Sequence, residues 1–278
     1  LPTEAAFLLD PVVLGVCFAV GIGAGFLAGY VGLGGGALIC PLLAVLLDAH
    51  GVDTAVAVPT AIATSVACTL PTALLSAVKH RAQGTWHPRA VLPLGLPAVV
   101  TSFVVAQLAV SFAGPVLTAT FASLLFLVAI RMMFAASDAD GPARSVNAGT
   151  WFVGGGAGAL ASLVGVGGGI VFVPYLRLGL RVPGALVAGT SCAAIVLTAS
   201  SSSLSYMLAE LGDGAQLPFS LGYVNILLLA AIVLGSVPSA RLFARLGRAT
   251  HPFVYRVIVS LILVASSARI MLRLTGVI

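Results

Sequence analysis

The chain has 278 residues, of which 60% are hydrophobic and 8% charged, whereas soluble domains carry about 25% charged residues. That balance excludes an ordinary soluble core and places the protein in the lipid bilayer. The net charge of +5 comes from basic residues scattered singly at segment ends, a pattern of membrane flanks rather than of nucleic-acid binding.

In chain order, apolar segments predict helices at 12–31, 37–47, 55–78, 90–110 and 116–134. A second series follows at 150–164, 170–180, 182–208, 221–240 and 253–272. Between them, 135–149 is polar and turn-rich and reads as a linker on the cytoplasmic side. The chain therefore divides into a first transmembrane repeat, 1–134, and a second, 150–278. The first residues hold Glu4 and Asp10 and no basic stretch, so they do not read as a signal peptide.

A glycine-rich block recurs 133 residues along the chain: residues 21–43 and 154–176 share 13 of 23 positions. Gly32-Leu33-Gly34-Gly35-Gly36 answers to Gly165-Val166-Gly167-Gly168-Gly169, and Pro41 to Pro174. Ala63-Thr64-Ser65 answers to Gly189-Thr190-Ser191, and Ala106-Gln107-Leu108 to Ala240-Arg241-Leu242. Duplicated apolar segments interrupted by glycine point to a transporter built from two repeats.

Loop charges set the expected topology. Asp48 and Asp53 lie where the second half has Arg177 and Arg181, and Lys79, Arg81 and Arg89 lie where it has Glu210 and Asp213. Eight plain spans would put seven Lys and Arg on the cytoplasmic side and six outside. A re-entrant hairpin followed by three full spans in each half puts eleven inside, leaving Arg269 and Arg273 outside. The second arrangement is preferred. The expected fold is an all-α membrane protein with two inverted repeats, each a broken, glycine-linked hairpin followed by three transmembrane helices. Segments 37–47 and 170–180 have 11 residues each, about 16 Å of helix and about half the hydrocarbon thickness.

The glycine links should be unwound, so that the short helix after each aims free N–H groups and partial positive charge at a small anion. Gly34, Gly35, Gly36, Gly167, Gly168 and Gly169 are the candidate lining, with the hydroxyls of Thr64, Ser65, Thr190 and Ser191 as uncharged donors. A back-bond to the preceding turn is the structural alternative for those hydroxyls. Gly21, Gly25 and Gly29, with Gly154, Gly158 and Ser162, recur every fourth residue and read as helix-contact ridges. Pro41 and Pro174 are expected in or near the first helical turn, where proline costs little. Ser200 to Ser203 could line a pore or pack on a neighbour. Gln107 and Asn225 are expected as ties between spans.

His80 and Arg81 form a possible vestibule for the substrate, or else a membrane-end anchor, and the same choice holds for Arg177 and Arg181. Cys17, Cys40, Cys68 and Cys192 lack metal-ligand spacing, so neither a metal site nor a cofactor is expected. No Asp or Glu lies within an apolar segment, and His50, His80, His87 and His251 stand at segment ends. Proton coupling through a buried side chain is therefore not expected. An enzyme is not expected either, because no nucleophile has a base in reach.

The paired glycine motifs, their prolines and the Ala63-Thr64-Ser65 motif resemble the TauE/SafE sulfite-exporter family over nearly the whole chain. The resemblance implies a permease of the cell's inner membrane that moves sulfite, sulfoacetate or another small sulfur-containing anion outward. Composition and charge alone yield only a small anion in a lipid bilayer, and they leave the oligomeric state open. Alternatives are an anion channel of the same fold and an uptake permease. Gly189 stands where the first half has Ala63, so the two halves of the site need not be equivalent.

Overall fold

The computed structural model describes residues 6–31, 35–111, 115–133, 144–209, 217–246 and 252–274. Gly32, Leu33, Gly34, most of the 135–149 linker, Glu210, Asp213 and His251 lie outside them. The chain is mostly helical. The first half holds α1 (Pro11–Val31), α2 (Gly36–Ala49), α3 (Thr54–Ala82), α4 (Pro88–Ser111) and α5 (Pro115–Met133). The second holds α6 (Ala148–Val164), α7 (Gly169–Pro174), α8 (Gly184–Leu208), α9 (Ile226–Leu246) and α10 (Pro252–Leu274). These helices follow the apolar segments read from the sequence.

Local signals place the helix starts. Pro11, Pro88, Pro115 and Pro252 open α1, α4, α5 and α10, positions where a missing N–H costs nothing. Asp53 caps α3 by accepting from the Ala55 N–H at 2.8 Å, and Asn147 with Thr150 forms a reciprocal box at the start of α6. Among the described residues, α3, α4 and α8 are long and apolar enough to cross a membrane. Leu92, Leu96, Val100 and Val104 on α4 are all exposed and recur every fourth residue, an apolar stripe suited to lipid.

Packing follows a regular pattern. α1 lies along α9, and α6 along α4. α3 and α8 pack on each other, as do α5 and α10. Exchanging the halves, so that α1 takes the place of α6 and α4 that of α9, maps these pairings onto themselves. The glycine ridges make the closest of these contacts. A Cβ on Gly21 would strike the Ile232 carbonyl, and one on Gly25 the Ser236 carbonyl. In the other pair, Gly154 meets Leu94 and Gly158 meets Ala98 in the same way. Backbones therefore touch along both ridges, as small residues at this spacing allow.

Three contacts join parts of the chain distant in sequence. Lys79 Nζ donates to the Arg241 carbonyl at 2.8 Å. The Arg144 N–H donates to the Leu180 carbonyl at 2.8 Å. Arg269 and Asp48 pair at 3.6 Å.

The structure departs from the sequence expectation at three places. Pro41 and Pro174 are each the sixth residue of their helices, past the first turn, where proline removes a hydrogen bond. At Pro174 the helix continues as a π-turn, Tyr175–Gly179, with Leu180 N–H bonded to Tyr175 O at 3.0 Å. Second, a two-stranded hairpin, β1 (Ser220–Leu221) with β2 (Val224–Asn225), precedes α9, so the chain is not purely helical. Gly222 turns it at φ +57°, against the carbonyls of Tyr206 and Met207. Third, Asn225 does not sit within a span. Its Oδ1 accepts from Leu228 N–H at 3.1 Å, which makes it the cap of α9.

Gly25→Ala should lower the stability of detergent-purified protein by about 1–3 kcal/mol through overpacking against α9. Gly15→Ala, on the same helix with nothing within 4 Å of its Cβ position, should leave the melting temperature unchanged.

Candidate functional site

The two glycine links meet where α3 and α8 pack together. Gly35 precedes α2 and Gly168 precedes α7, at equivalent positions of the repeat. Both adopt left-handed backbone, with φ +79° and +89°, and neither helix start has a side-chain cap. Only glycine holds that conformation without strain. Gly36 faces the other link: a Cβ there would lie 2.5 Å from the Gly165 carbonyl oxygen and 2.9 Å from Thr69 Oγ1. Gly165 packs on Cys40, and Gly167 lies between Thr69 and Ile195. Gly169 is buried as the first residue of α7.

Ser65 holds the two links together. Its hydroxyl lies 2.8 Å from the Gly165 carbonyl and 3.3 Å from that of Gly36. Ser191 is equally buried and has a polar partner of its own. Thr64 and Thr190 do something different. Thr64 Oγ1 accepts from the Asn225 N–H at 3.0 Å. Thr190 Oγ1 accepts from the His87 N–H at 2.8 Å and donates to Leu186 O at 2.6 Å. Each threonine therefore secures the backbone at the entry of a span from the other half. Gly34 lies outside the described residues.

The remaining candidates separate. Arg81 is exposed, its guanidinium 5.8 Å from the Trp86 ring centre. His80 turns inward. Its Nδ1 pairs with Thr85 Oγ1 at 2.8 Å, while Nε2 is buried without a hydrogen-bond partner. His80 stands in the last turn of α3, at the segment end where the sequence places it, and its ring is half-buried against Gly189 of α8, which has no side chain to hold it off. Arg181 adopts φ +51° with Nε buried, and Arg177 reaches toward Gly184. Gln107 ties α4 to the Ser205 carbonyl at 3.0 Å. Ser201 and Ser202 bond to Val99 O and to Ser162 Oγ at 2.7 and 3.2 Å, whereas Ser200 is exposed and bonds back to Val196 O and the buried Ser203 hydroxyl has no hydrogen-bond partner. All four cysteines are free and buried. Among the described residues no group of three or more His, Cys, Asp or Glu could hold a metal.

Sequence reasoning missed Thr69 and Ser76. Thr69, Thr72, Ser76 and His80 follow one another every third or fourth residue along α3, and the first three are buried. That spacing was the available signal, obscured because the second half has Ile195 and Tyr206 at the registers of Thr69 and His80.

The family model described as "Sulfite exporter TauE/SafE" matches residues 17–270. A "Probable membrane transporter protein" of Haemophilus influenzae is 29% identical over 235 residues, covering 84% of this chain and 86% of that one. One of the same description from Methanocaldococcus jannaschii is 27% identical over 260 residues, covering 92% and 93%. No solved structure matches the chain.

Ser65→Ala would leave the Gly165 carbonyl without its hydroxyl donor, at about 1–3 kcal/mol for a buried unsatisfied group. A lowered melting temperature in detergent is the expected result.

Proposed function

The chain belongs to the sulfite exporter TauE/SafE family, and from that premise we propose that it exports sulfite or a related small sulfur-containing anion across the cytoplasmic membrane. That it is a membrane transporter follows from the family and from both relatives. The observation that carries the finer reading is the contact between the glycine links, Gly36 against Gly165 with Ser65 bonded to both.

In this reading Gly34 to Gly36 and Gly167 to Gly169 line a central anion site. α2 and the continuous helix of α7 with its π-turn present backbone N–H groups there. Ser65 and Ser191 belong to the wall, while Thr64 and Thr190 position it through the backbone. Alternating access comes from movement of one bundle against the other about the links. Export suits an anion, because each negative charge leaving an inside-negative cell gains about 2.3 kcal/mol per 100 mV.

The repeats are read as inverted, with multiple passes through the membrane. Three contacts support that topology: Lys79 with Arg241, Arg144 with Leu180, and Asp48 with Arg269. With inverted repeats each pair shares one face of the membrane, whereas eight plain spans would place each pair on opposite faces.

Two measurements test the proposal. Gly36→Val should insert normally yet abolish radiolabelled sulfite counterflow in liposomes, because the added side chain drives the links apart. Wild-type counterflow in that variant would show the links to be passive, and wild-type flux without exchange acceleration would indicate a channel. His50→Cys and Leu178→Cys, both at exposed positions, should react with an impermeant thiol reagent from opposite faces of the membrane. Labelling from one face would overturn the inverted arrangement.

A further inference from the structure

A cavity of about 220 Å³ lies between the two arms of the first hairpin, and no residue of the glycine links lines it. Cys17 and Val20 of α1, Leu42 and Leu46 of α2 and Ile232 of α9 form its walls. The lining is apolar apart from the Cys17 thiol. Val16, which is 45% exposed, and Ala49, also exposed, stand at its mouth. From Ala49, the last residue of α2, back to Leu42 is seven residues, about 10 Å of helix. The cavity therefore runs inward from the end of the helix, along the helices.

The second half closes the equivalent place with a side chain of its own. At the 133-residue repeat offset, Tyr175 answers to Leu42 and Thr150 to Cys17. The Tyr175 hydroxyl lies 3.0 Å from Thr150 Oγ1, so an aromatic ring bridges the hairpin arms there. The first half has a leucine on one arm and a thiol on the other, and it keeps an opening between them. Protein interiors pack as densely as organic crystals, and an empty space of this size forfeits the dispersion contacts of its lining. Water does not suit it, because a buried water needs about two to four polar partners. An engineered apolar cavity of about 150 Å³ takes up benzene, so this larger one has room for a length of hydrocarbon.

The neighbouring phase identifies the occupant. Leu9, Val12, Val16 and Phe18 are all exposed, so the mouth is continuous with the apolar surface that α1 turns to the bilayer. The charged side chains described at that end are Asp10, Asp48 and Asp53, with Arg269 paired to Asp48 at 3.6 Å. His50 is turned to the Leu46 carbonyl at 2.8 Å. This acidic rim does not attract a lipid phosphate, so recognition lies in the hydrocarbon and not in the headgroup. A lipid tail descending from the interface has the direction of the cavity.

We propose that the cavity is a binding site for one acyl chain of a bilayer phospholipid, which enters between Val16 and Ala49 and fills in the first half the place that Tyr175 fills in the second. The bound chain braces α2, the arm that begins at Gly36, against α1 and α9. The site is independent of which anion the protein carries.

Photo-crosslinking of the full chain in liposomes tests this. The vesicles are of phosphatidylcholine with a diazirine midway along one acyl chain, and adducts are mapped by mass spectrometry. Adducts should concentrate on Cys17, Val20 and Leu46, above the level at Leu92, Leu96, Val100 and Val104 of α4, which face lipid on an open helix surface. Phosphatidylglycerol with the same labelled chain should give the same yield. Cys17→Thr combined with Leu42→Tyr, the pair found in the second half, should abolish the cavity adducts, spare those on α4 and raise the melting temperature of delipidated protein. Cavity adducts no more frequent than those on α4 would overturn the site, as would adducts that persist in the double variant or that follow the headgroup. Adducts that vanish as the protein is concentrated in the membrane would give the cavity to a second copy of the chain and overturn it too. If the double variant fails to insert, the wild-type comparison with α4 decides alone.

Discussion

Hydrocarbon offers no hydrogen bonds to a broken helix. Every amide and carbonyl that a glycine link exposes at membrane depth must find its partner within the protein. Much of the centre of this chain follows from that constraint. The links press on one another at Gly36 and Gly165, and the single hydroxyl proton of Ser65 is directed mainly to the Gly165 carbonyl, with that of Gly36 also in reach. The close approach is possible because the bulk there is backbone, so the glycines serve proximity as much as conformation.

The same constraint explains the polar side chains elsewhere. Threonines such as Thr69, Thr72, Thr120 and Thr198 bond back to their own preceding turn, whereas several serines donate to carbonyls of neighbouring helices. Ser201, Ser205 and Ser239 bond to Val99, Phe103 and Ile22 in this way. Such bonds fix the separation of helices where lipid supplies no hydrophobic pressure between them. Against this background the departures stand out. The two halves share a pairing pattern but are unequal in chemistry: the Tyr206 hydroxyl is closed by the Ser162 carbonyl, whereas Nε2 of His80, at the same register of the first half, has no hydrogen-bond partner. A site built on two near-copies acquires direction from such differences, because each face then presents other chemistry to the same ion.

Much of this was legible in the sequence. The helices, the glycine ridges and the pairing of links were carried by spacing, since period and duplication survive in a string of letters. The purpose of Thr64 and Thr190 was not. Their motif suggested ligand donors, yet their oxygens receive the amides of Asn225 and His87, residues more than a hundred positions away. Long-range hydroxyl-to-amide ties leave no local periodicity. The hairpin before α9 was hidden for a related reason: its strands are two residues long, too short for alternation to register. The half-burial of His80 was not legible, because position along a helix says little about burial when the partner helix carries a glycine opposite.

The crosswise threonine ties have an evolutionary corollary. Asn225 belongs to the second half, yet its buried amide is closed by a hydroxyl from the first, and His87 repays the relation in reverse. Neither duplicate completes its own backbone. An ancestral gene encoding one copy would have yielded a competent molecule only as a homodimer, each subunit lending its threonine to the other, and fusion then made permanent a partnership that chemistry already required.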